Sequence, residues 1–492
     1  MRGSLLVAGT TSDAGKSVVT TGLCRAIARH GVGVAPFKAQ NMSNNSMVCA
    51  DGAEIGRAQW IQALAARAEP EAAMNPILLK PGSDRRSHVV VMGKPAGDLT
   101  SRDFIGGRGH LAAAAYDAYD DLIGRYDVVV CEGAGSPTEI NLRADDYVNM
   151  GLAQHGQIPT VVVGDIDRGG VFAALHGTVA LLEAADQALI AGFVINKFRG
   201  DETLLRPGLD ALEAMSGRPV LGVLPWRPDL WLDSEDALDL AGRRATSGAP
   251  LRVAVVRLPR ISNFTDVDAL GIEPGLDVVF ASDARALSDA DVIIVPGTRA
   301  TIADLAWMRE RGLDRAIVAH AESGRPVLGI CGGFQMLGRE VADPEGIEGA
   351  VGVVVPGLGL LGVATEFAAD KVLRLPTGSA LGAAATGYEI HHGRVTRDAG
   401  VEEFLGGARS GLVFGTMWHG SLESDGLRRA WLAAIAPSFD PGPLVSFAET
   451  REARMDLLGD LVEKHVDVPA VIDLIEHGAP AGLSLLAPGA DR

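Results

Sequence analysis

Two short stretches of this sequence carry the residue types that do chemistry, and they lie more than three hundred residues apart. The first is residues 9–17, Gly-Thr-Thr-Ser-Asp-Ala-Gly-Lys-Ser. It follows an apolar run and precedes a helical stretch, Val18–His30. In that setting backbone N–H groups and a helix N-terminus cradle phosphate oxygens. Lys16 is placed to neutralise the β/γ-phosphates, and Ser17 to give a hydroxyl to Mg²⁺. Thr11, Asp13 and Gly15 complete the loop. The spacing departs from the strict pattern, because Gly9 stands one position early and Thr10 sits where glycine is usual. The second stretch is residues 325–338, RPVLGICGGFQMLG. An apolar run enters Gly329-Ile330-Cys331-Gly332-Gly333, and a helical stretch follows. Small residues flank the cysteine, as a strained strand-to-helix elbow requires. The elbow lifts the sulfur to a helix N-terminus, where the thiolate is favoured.

Each stretch needs partners. For the phosphate loop, Glu132 ends a buried run and opens Glu-Gly-Ala-Gly-Ser-Pro, the place where a carboxylate faces the ligand crevice of a parallel sheet. Mg²⁺ takes one or two carboxylates plus phosphate oxygens. Glu132 is the first choice and Asp51 the second, with Asp165 and Asp167 at another strand end. Asn196-Lys197 closes a further strand. For Cys331, Gly332 offers one oxyanion donor, and Gly297 in Val295-Pro296-Gly297-Thr298 offers a second from the neighbouring strand. His419 follows the last strong apolar run and suits the base of a Cys–His pair. A lone cysteine is usually a small core hydrophobe, but it needs neither an elbow nor ordered partners.

The elements that must position these groups are legible as two series of short apolar runs. Leu5–Ala8, Val32–Phe37, Val128–Val130, Thr160–Val163, Ile190–Ile195 and Val220–Leu224 form the first. Leu251–Val256, Val278–Phe280, Val292–Val295, Val327–Ile330 and Leu412–Trp418 form the second. Amphipathic or Ala-rich stretches separate many of them. Strands buried on both faces with crossover helices make parallel α/β sheets. The expectation is an ATP-binding domain over 1–242, a linker at 243–250, a second α/β domain over 251–440, and a helical extension over 441–492.

Composition narrows the class. Hydrophobic residues make 47% and charged residues 22%, as in soluble globular chains. The net charge of −18 argues against a nucleic-acid binder. The cysteines, Cys24, Cys49, Cys131 and Cys331, form no CxxC pair, so neither a zinc site nor a disulfide framework is expected. No apolar stretch approaches the ~20 residues of a membrane span, and no signal peptide is evident. The expected location is the cytoplasm, without nucleic-acid or membrane partners, and a homo-oligomer is compatible with the sequence.

The phosphate loop resembles that of dethiobiotin synthetase and its relatives, which phosphorylate a carboxylate. Partition and septum-site ATPases carry a second lysine early in the loop, where this chain has Thr11, so the resemblance favours a small-molecule enzyme over an ATP-driven switch. It implies adenine recognition by Asn196. The Pro-Gly loop, the Gly-x-Cys-x-Gly elbow and the late histidine resemble class I glutamine amidotransferases, which have a flavodoxin-like fold. Many members carry Glu two residues after the histidine. Here Ser421 stands there and Glu423 is four residues on, so the third triad role is unassigned.

Further strings narrow the resemblance: Lys38-Ala39-Gln40-Asn41-Met42-Ser43, Glu54-Ile55-Gly56-Arg57-Ala58-Gln59, Asn196 to Asp201, Leu258 to Asp266, and Gly387-Tyr388-Glu389-Ile390-His391-His392-Gly393. Over residues 1 to about 440 they resemble the cobyric acid synthase family. That resemblance implies a glutamine-hydrolysing carbon–nitrogen ligase that uses ATP, Mg²⁺, glutamine and a corrinoid polycarboxylate, with cobalt only inside the substrate. In the family the b, d, e and g carboxylates of adenosylcobyrinic acid a,c-diamide become amides. Lys38, Gln40, Asn41, Asn44, Asn45 and Arg57 are the candidate substrate or phosphate contacts. Tyr388, His391 and His392 are expected to be packing near the glutaminase site. The alternatives are cobyrinic acid a,c-diamide synthase, a peptidoglycan-amidating partnership, and a regulatory P-loop ATPase with a decayed glutaminase-like domain. Intact Cys331 and His419 argue against decay.

Overall fold

The computed structural model describes residues 1–83, 86–100, 108–227 and 250–487. The expected linker at 243–250, apart from Pro250, and the end of the first domain at 242 lie outside the described residues.

The first domain is built on a six-stranded, all-parallel sheet. Its order is Val220–Pro225, Ile190–Phe198, Thr160–Asp165, Gly3–Gly9, Val128–Glu132 and Val34–Phe37. All six expected strands form, with boundaries shifted by a few residues. The alternation of side chains splits each central strand between two layers. Leu5 and Val7 pack with helix Lys16–Arg29, whereas Leu6 and Ala8 pack with helices Gly109–Arg125 and Met150–Gly156.

The second domain has a seven-stranded sheet, ordered Leu276–Ala281, Leu251–Val256, Val292–Val295, Val327–Ile330, Val413–Thr416, Gly407–Ser410 and Glu402–Phe404. The first five strands are parallel, and the last two return antiparallel. Parallel strands run through the middle of both sheets, so their carboxyl ends form the crevices in which ligands bind.

Both domains also carry smaller sheets that the apolar runs do not announce. In the first, Gln40–Met42, Ile77–Ser83, Arg86–Val91 and Lys94–Thr100 form one sheet, and Ser46–Val48 pairs with Glu54–Gly56. In the second, Glu340–Asp343, Val353–Pro356, Val363–Arg374 and Glu389–Arg397 form another. These strands are short or half polar, and several contain Gly or Pro, so they lack the unbroken apolar character of a strand buried on both faces.

The C-terminal extension is helical, as expected, but it does not trail from the second domain. Helix Phe447–His465 returns to the first domain and packs along helix Lys16–Arg29. Arg25 pairs with Glu452 and Asp456, and Arg29 with Asp456, Asp460 and Glu463. The helices approach closely because Gly22 faces Val462 and the Leu458 carbonyl. Helix Val468–His477 then crosses beside strand Gly3–Gly9. The tail thus covers one face of the first sheet and contributes Met455, Leu461, Val462, Val471, Leu474 and Ile475 to its core.

A Cβ on Gly22 would meet Val462 Cγ2 at 2.4 Å and Leu458 O at 2.8 Å. Gly22→Val is therefore expected to destabilise the first domain by about 1–3 kcal/mol, the usual cost of overpacking. Thermal unfolding followed by circular dichroism would show a lower midpoint, and an unchanged midpoint would remove the tail from the core.

Candidate active site

At the phosphate loop, Gly15 takes a left-handed conformation (φ 100°) between the short turn Ser12–Ala14 and helix Lys16–Arg29. Only glycine fits, because a Cβ there would lie 1.9 Å from Asn196 Nδ2. That amide donates to Ala14 O at 3.0 Å. Asn196 therefore braces the loop at the place where the resemblance implies adenine recognition. Thr11 and Asp13 are exposed on the loop's outer side. The Asp13 carbonyl accepts from Lys197 Nζ at 2.8 Å. Lys16 is buried, its ammonium donating to the carbonyls of Thr11, Ser12 and Gly135 at 2.9–3.1 Å.

Glu132 joins this loop. Its Oε1 accepts from Ser17 Oγ at 2.8 Å and from Lys38 Nζ at 3.0 Å, and its Oε2 from Gln62. Burial alone would raise its pKa, but Lys38, Gln62 and Lys16 outweigh burial and hold the carboxyl below the ordinary glutamate range. An ionised carboxylate beside a serine hydroxyl is an all-oxygen pair of the kind Mg²⁺ accepts alongside phosphate oxygens. Asp51 does not belong to this pair. It lies exposed on the turn of the Ser46–Gly56 hairpin, and its Oδ1 accepts from Ala53 N at 2.9 Å. Asp165 is engaged by Lys197 at 2.8 Å, and Asp167 by Arg199 at 2.7 Å.

The polar stretch after the second strand is mostly buried instead of lining an open substrate face. Gln40 accepts from Tyr147 OH, and Asn41 donates to Gln59 at 3.0 Å. Arg57 is 1% exposed and pairs with Glu423 of the second domain at 3.0 Å. Glu423 also meets Arg451 of the C-terminal helix at 2.8 Å. These two residues tie the domains together. Arg57 thus stands at the domain interface, and Glu423 is held by Arg57 and Arg451.

The second cluster centres on Cys331. Its backbone lies at φ 49°, ψ −111°, between strand Val327–Ile330 and helix Gly332–Leu337. For a residue with a Cβ this is strained, as an elbow demands. The surroundings enforce it: a Cβ on Gly329 would meet Phe334 Cα at 2.6 Å, and one on Gly333 would meet Val295 O at 2.0 Å. The elbow therefore rests on the loop that carries Gly297. That loop in turn faces the histidine, since a Cβ on Gly297 would stand 2.8 Å from His419 Cε1. Gly332 lies against Thr298 of the same loop.

The residue missing from the sequence reading is Asp266. Its Oδ2 is 2.7 Å from His419 Nδ1, and its Oδ1 accepts from Gly420 N at 2.8 Å. It is 3% exposed, on the short turn Phe264–Val267 after Asn263 in the left-handed region. Tyr388 stacks on the other side of the ring at 5.3 Å and exchanges backbone hydrogen bonds with His419 at 2.9–3.0 Å. With Nδ1 held by Asp266, Nε2 is left for Cys331. Burial pushes the His419 pKa down, but the charges of Asp266 and Cys331 outweigh it and raise the value to about 10. This favours an imidazolium facing the Cys331 sulfur. The only hint of Asp266 in the sequence was its place at the end of the Leu258–Asp266 string, because the triad pattern sought an acid after the histidine.

A cavity opens beside Cys331. The second domain contributes Thr298, Arg299, Gln335, Glu348, Lys371 and His391, among others, and the first domain contributes Asn44 and Lys80. His391 bonds the Gly393 carbonyl through Nδ1 at 2.8 Å, and His392 bonds the Ala368 carbonyl at 3.1 Å. Burial holds His392 neutral, at about 4. Among the described residues there is no group of three or more His, Cys, Asp or Glu side chains able to hold a metal.

Two family models match the chain. Residues 5–239 match the CobQ/CobB/MinD/ParA nucleotide binding domain, and residues 252–427 match the CobB/CobQ-like glutamine amidotransferase domain. Fold and site together define a glutamine amidotransferase joined to a P-loop nucleotide-binding domain in one chain. Similarity over the full length goes further. A cobyric acid synthase of Mycolicibacterium gilvum is 69% identical over 493 residues, covering 99% of each chain. Those of Mycobacterium tuberculosis H37Rv and Mycolicibacterium vanbaalenii are 69% and 68% identical, again over 99% of both chains. The chain belongs to the cobyric acid synthase family.

Replacing Asp266 with Asn removes the charge that holds His419 protonated. The His419 titration is expected to move from about 10 toward the ordinary histidine value of about 6.5. Glutamine hydrolysis should fall by up to about 10⁴-fold, the loss seen when an orienting acid becomes its amide. NMR of ring-labelled histidine and a glutaminase assay would check both, and an unmoved titration would remove Asp266 from the triad.

Proposed function

We propose that this protein makes amides from the b, d, e and g carboxylates of adenosylcobyrinic acid a,c-diamide, using ATP and glutamine, to give adenosylcobyric acid. What supports it most is the joining, in one chain, of the Cys331–His419–Asp266 array with a Ser17–Glu132 pair behind a phosphate loop. Membership of the family supplies the corrinoid.

The chemistry divides between the sites. Cys331 attacks the side-chain amide carbon of glutamine, and His419 passes a proton to the departing ammonia. The oxyanion is held by backbone N–H groups of Gly332 and the Gly297 loop. Water then releases glutamate from the thioester. Asp266 keeps the ring in one tautomer and orientation. In the first domain, Lys16 and the loop backbone bind the nucleotide phosphates. Ser17 and Glu132 would hold Mg²⁺, which supplies charge neutralisation at the phosphates. The carboxylate oxygen attacks the γ-phosphate, giving an acyl phosphate and ADP. Ammonia displaces phosphate and leaves the amide. The activation is needed because a carboxylate is inert to amines and an acyl phosphate is not.

Cobalt enters only inside the substrate, and the reaction belongs in the cytoplasm. No helix among the described residues is long and apolar enough to cross a membrane.

Purified protein with ATP, glutamine and the a,c-diamide should yield products lighter by about one mass unit for each carboxylate converted. No mass change would overturn the substrate assignment. Cys331→Ala should abolish glutamine use and spare synthesis from added ammonium, whereas Lys16→Ala should abolish both. A folded Cys331→Ala protein that also lost ammonium-driven synthesis would overturn the two-site scheme.

A further inference from the structure

The cavity beside Cys331 holds charges and polar atoms that hydrolysis itself does not use, and part of them come from the other domain. Lys80 of the first domain and Lys371 of the second both line the cavity. They share one carboxylate, Glu54, which is 0% exposed: Lys80 Nζ and Lys371 Nζ contact its two oxygens, and Ser46 Oγ lies 2.8 Å from Lys80. Among the described residues no second carboxylate is paired with either lysine. One acid between two ammonium groups leaves one positive charge uncompensated in a buried place, where charge is costly without a partner. The remaining lining ions, Arg299 and Glu348, stand 3.7 Å apart, and burial pushes the Glu348 carboxyl up to about 7, so it offsets Arg299 only in part.

Three lining side chains also have a buried polar atom without a hydrogen bond: Asn44 Oδ1, Gln335 Nε2 and His391 Nε2. Gln335 is 2% exposed. Buried polar atoms are nearly always bonded, and exceptions at a cavity mark where a ligand's groups go. An acceptor from Asn44 and an excess cation at Lys80 and Lys371 match the two ends of a free amino acid, its α-ammonium and its α-carboxylate.

We propose that the first domain completes the glutamine pocket of the second: Lys80, with Lys371, holds the α-carboxylate of glutamine, and Asn44 Oδ1 accepts from its α-ammonium. This rests on the reading of Cys331 as the nucleophile. It makes recognition of free glutamine depend on docked domains, since half the amino-acid end is read by the synthetase side. The segment that carries Asn44 is fixed to the second domain by Ser46 N donating to Asn263 Oδ1 at 2.9 Å.

The test uses the full-length protein and three amide substrates. These are glutamine, 4-carbamoylbutanoate, which lacks the α-amino group, and 4-aminobutanamide, which lacks the carboxylate. Asn44→Ala should raise KM for glutamine about tenfold, the value of one lost charged hydrogen bond. It should leave KM for 4-carbamoylbutanoate within about twofold. Lys80→Met should raise KM for glutamine but not for 4-aminobutanamide, and Lys80→Arg should restore part of the loss. Synthesis from added ammonium should hold in all three variants. Unchanged KM for glutamine in both Asn44→Ala and Lys80→Met overturns the proposal. So does an equal loss with all three substrates, or a parallel fall in ammonium-driven synthesis. Asn44 is only half-buried on a loop, so its variant reports even where Lys80→Met fails to fold. Failure of the nucleophile reading is seen separately, as glutamine hydrolysis that survives Cys331→Ala.

Discussion

Glu54 is a carboxylate with no access to water, and it is shared between a lysine of each domain. Burial alone would raise its pKa, yet Lys371 and Lys80 hold it ionised, well below the usual carboxylate range. Lys80 in turn is lowered by burial to about 8, partly restored by Glu54. One lysine comes from each domain. Parting the domains would take Lys371 from a charge that has only Lys80 left beside it, and breaking a buried pair by removing a partner is among the costlier changes a fold can suffer. The ion cluster joins the two domains together with Ser46–Asn263 and Arg57–Glu423–Arg451.

One short helix then links the chemistry of the two halves. Helix Arg57–Ala65 begins at Arg57, which grips Glu423 four residues beyond His419. It reaches Gln62 one and a half turns later, which bonds Glu132 behind the phosphate loop. One helix thus holds a residue at the domain interface and another behind the phosphate loop. The tail reinforces the same helix layer, since Arg451 sits over both Trp60 and Phe447.

The architecture was legible because both central sheets are parallel and buried on both faces, so their strands are continuous apolar runs ended by Gly, Asp or Pro. Lys16, Ser17, Glu132, Cys331 and His419 were legible for the same reason, each standing at or just beyond such a run. What escaped the sequence lies where neighbours decide the outcome. Asp266 meets His419 across 153 residues, and the turn that carries it has no period to detect. Asp51 looked like a metal carboxylate but only caps its own hairpin. Arg57 looked like a substrate contact, and its partner, Glu423, lies in another domain. Lys94–Thr100, polar and containing Pro and Gly, forms a strand only because Arg86–Val91 lies beside it.

The return of the tail also sets an order of events during synthesis. Strand Gly3–Gly9 and helix Lys16–Arg29 leave the ribosome well before Phe447–His465 and Val468–His477, which cover them. Domains otherwise tend to fold as units in the order in which they emerge. Here the nucleotide-binding layer stays open on one face while some four hundred residues, including the whole amidotransferase domain, are still being made. The nascent chain thus leaves this layer uncovered until those two helices emerge. That interval is when a chaperone has most to shield, and a ribosome stalled before the tail would release a chain that has its phosphate loop but not the layer that steadies it.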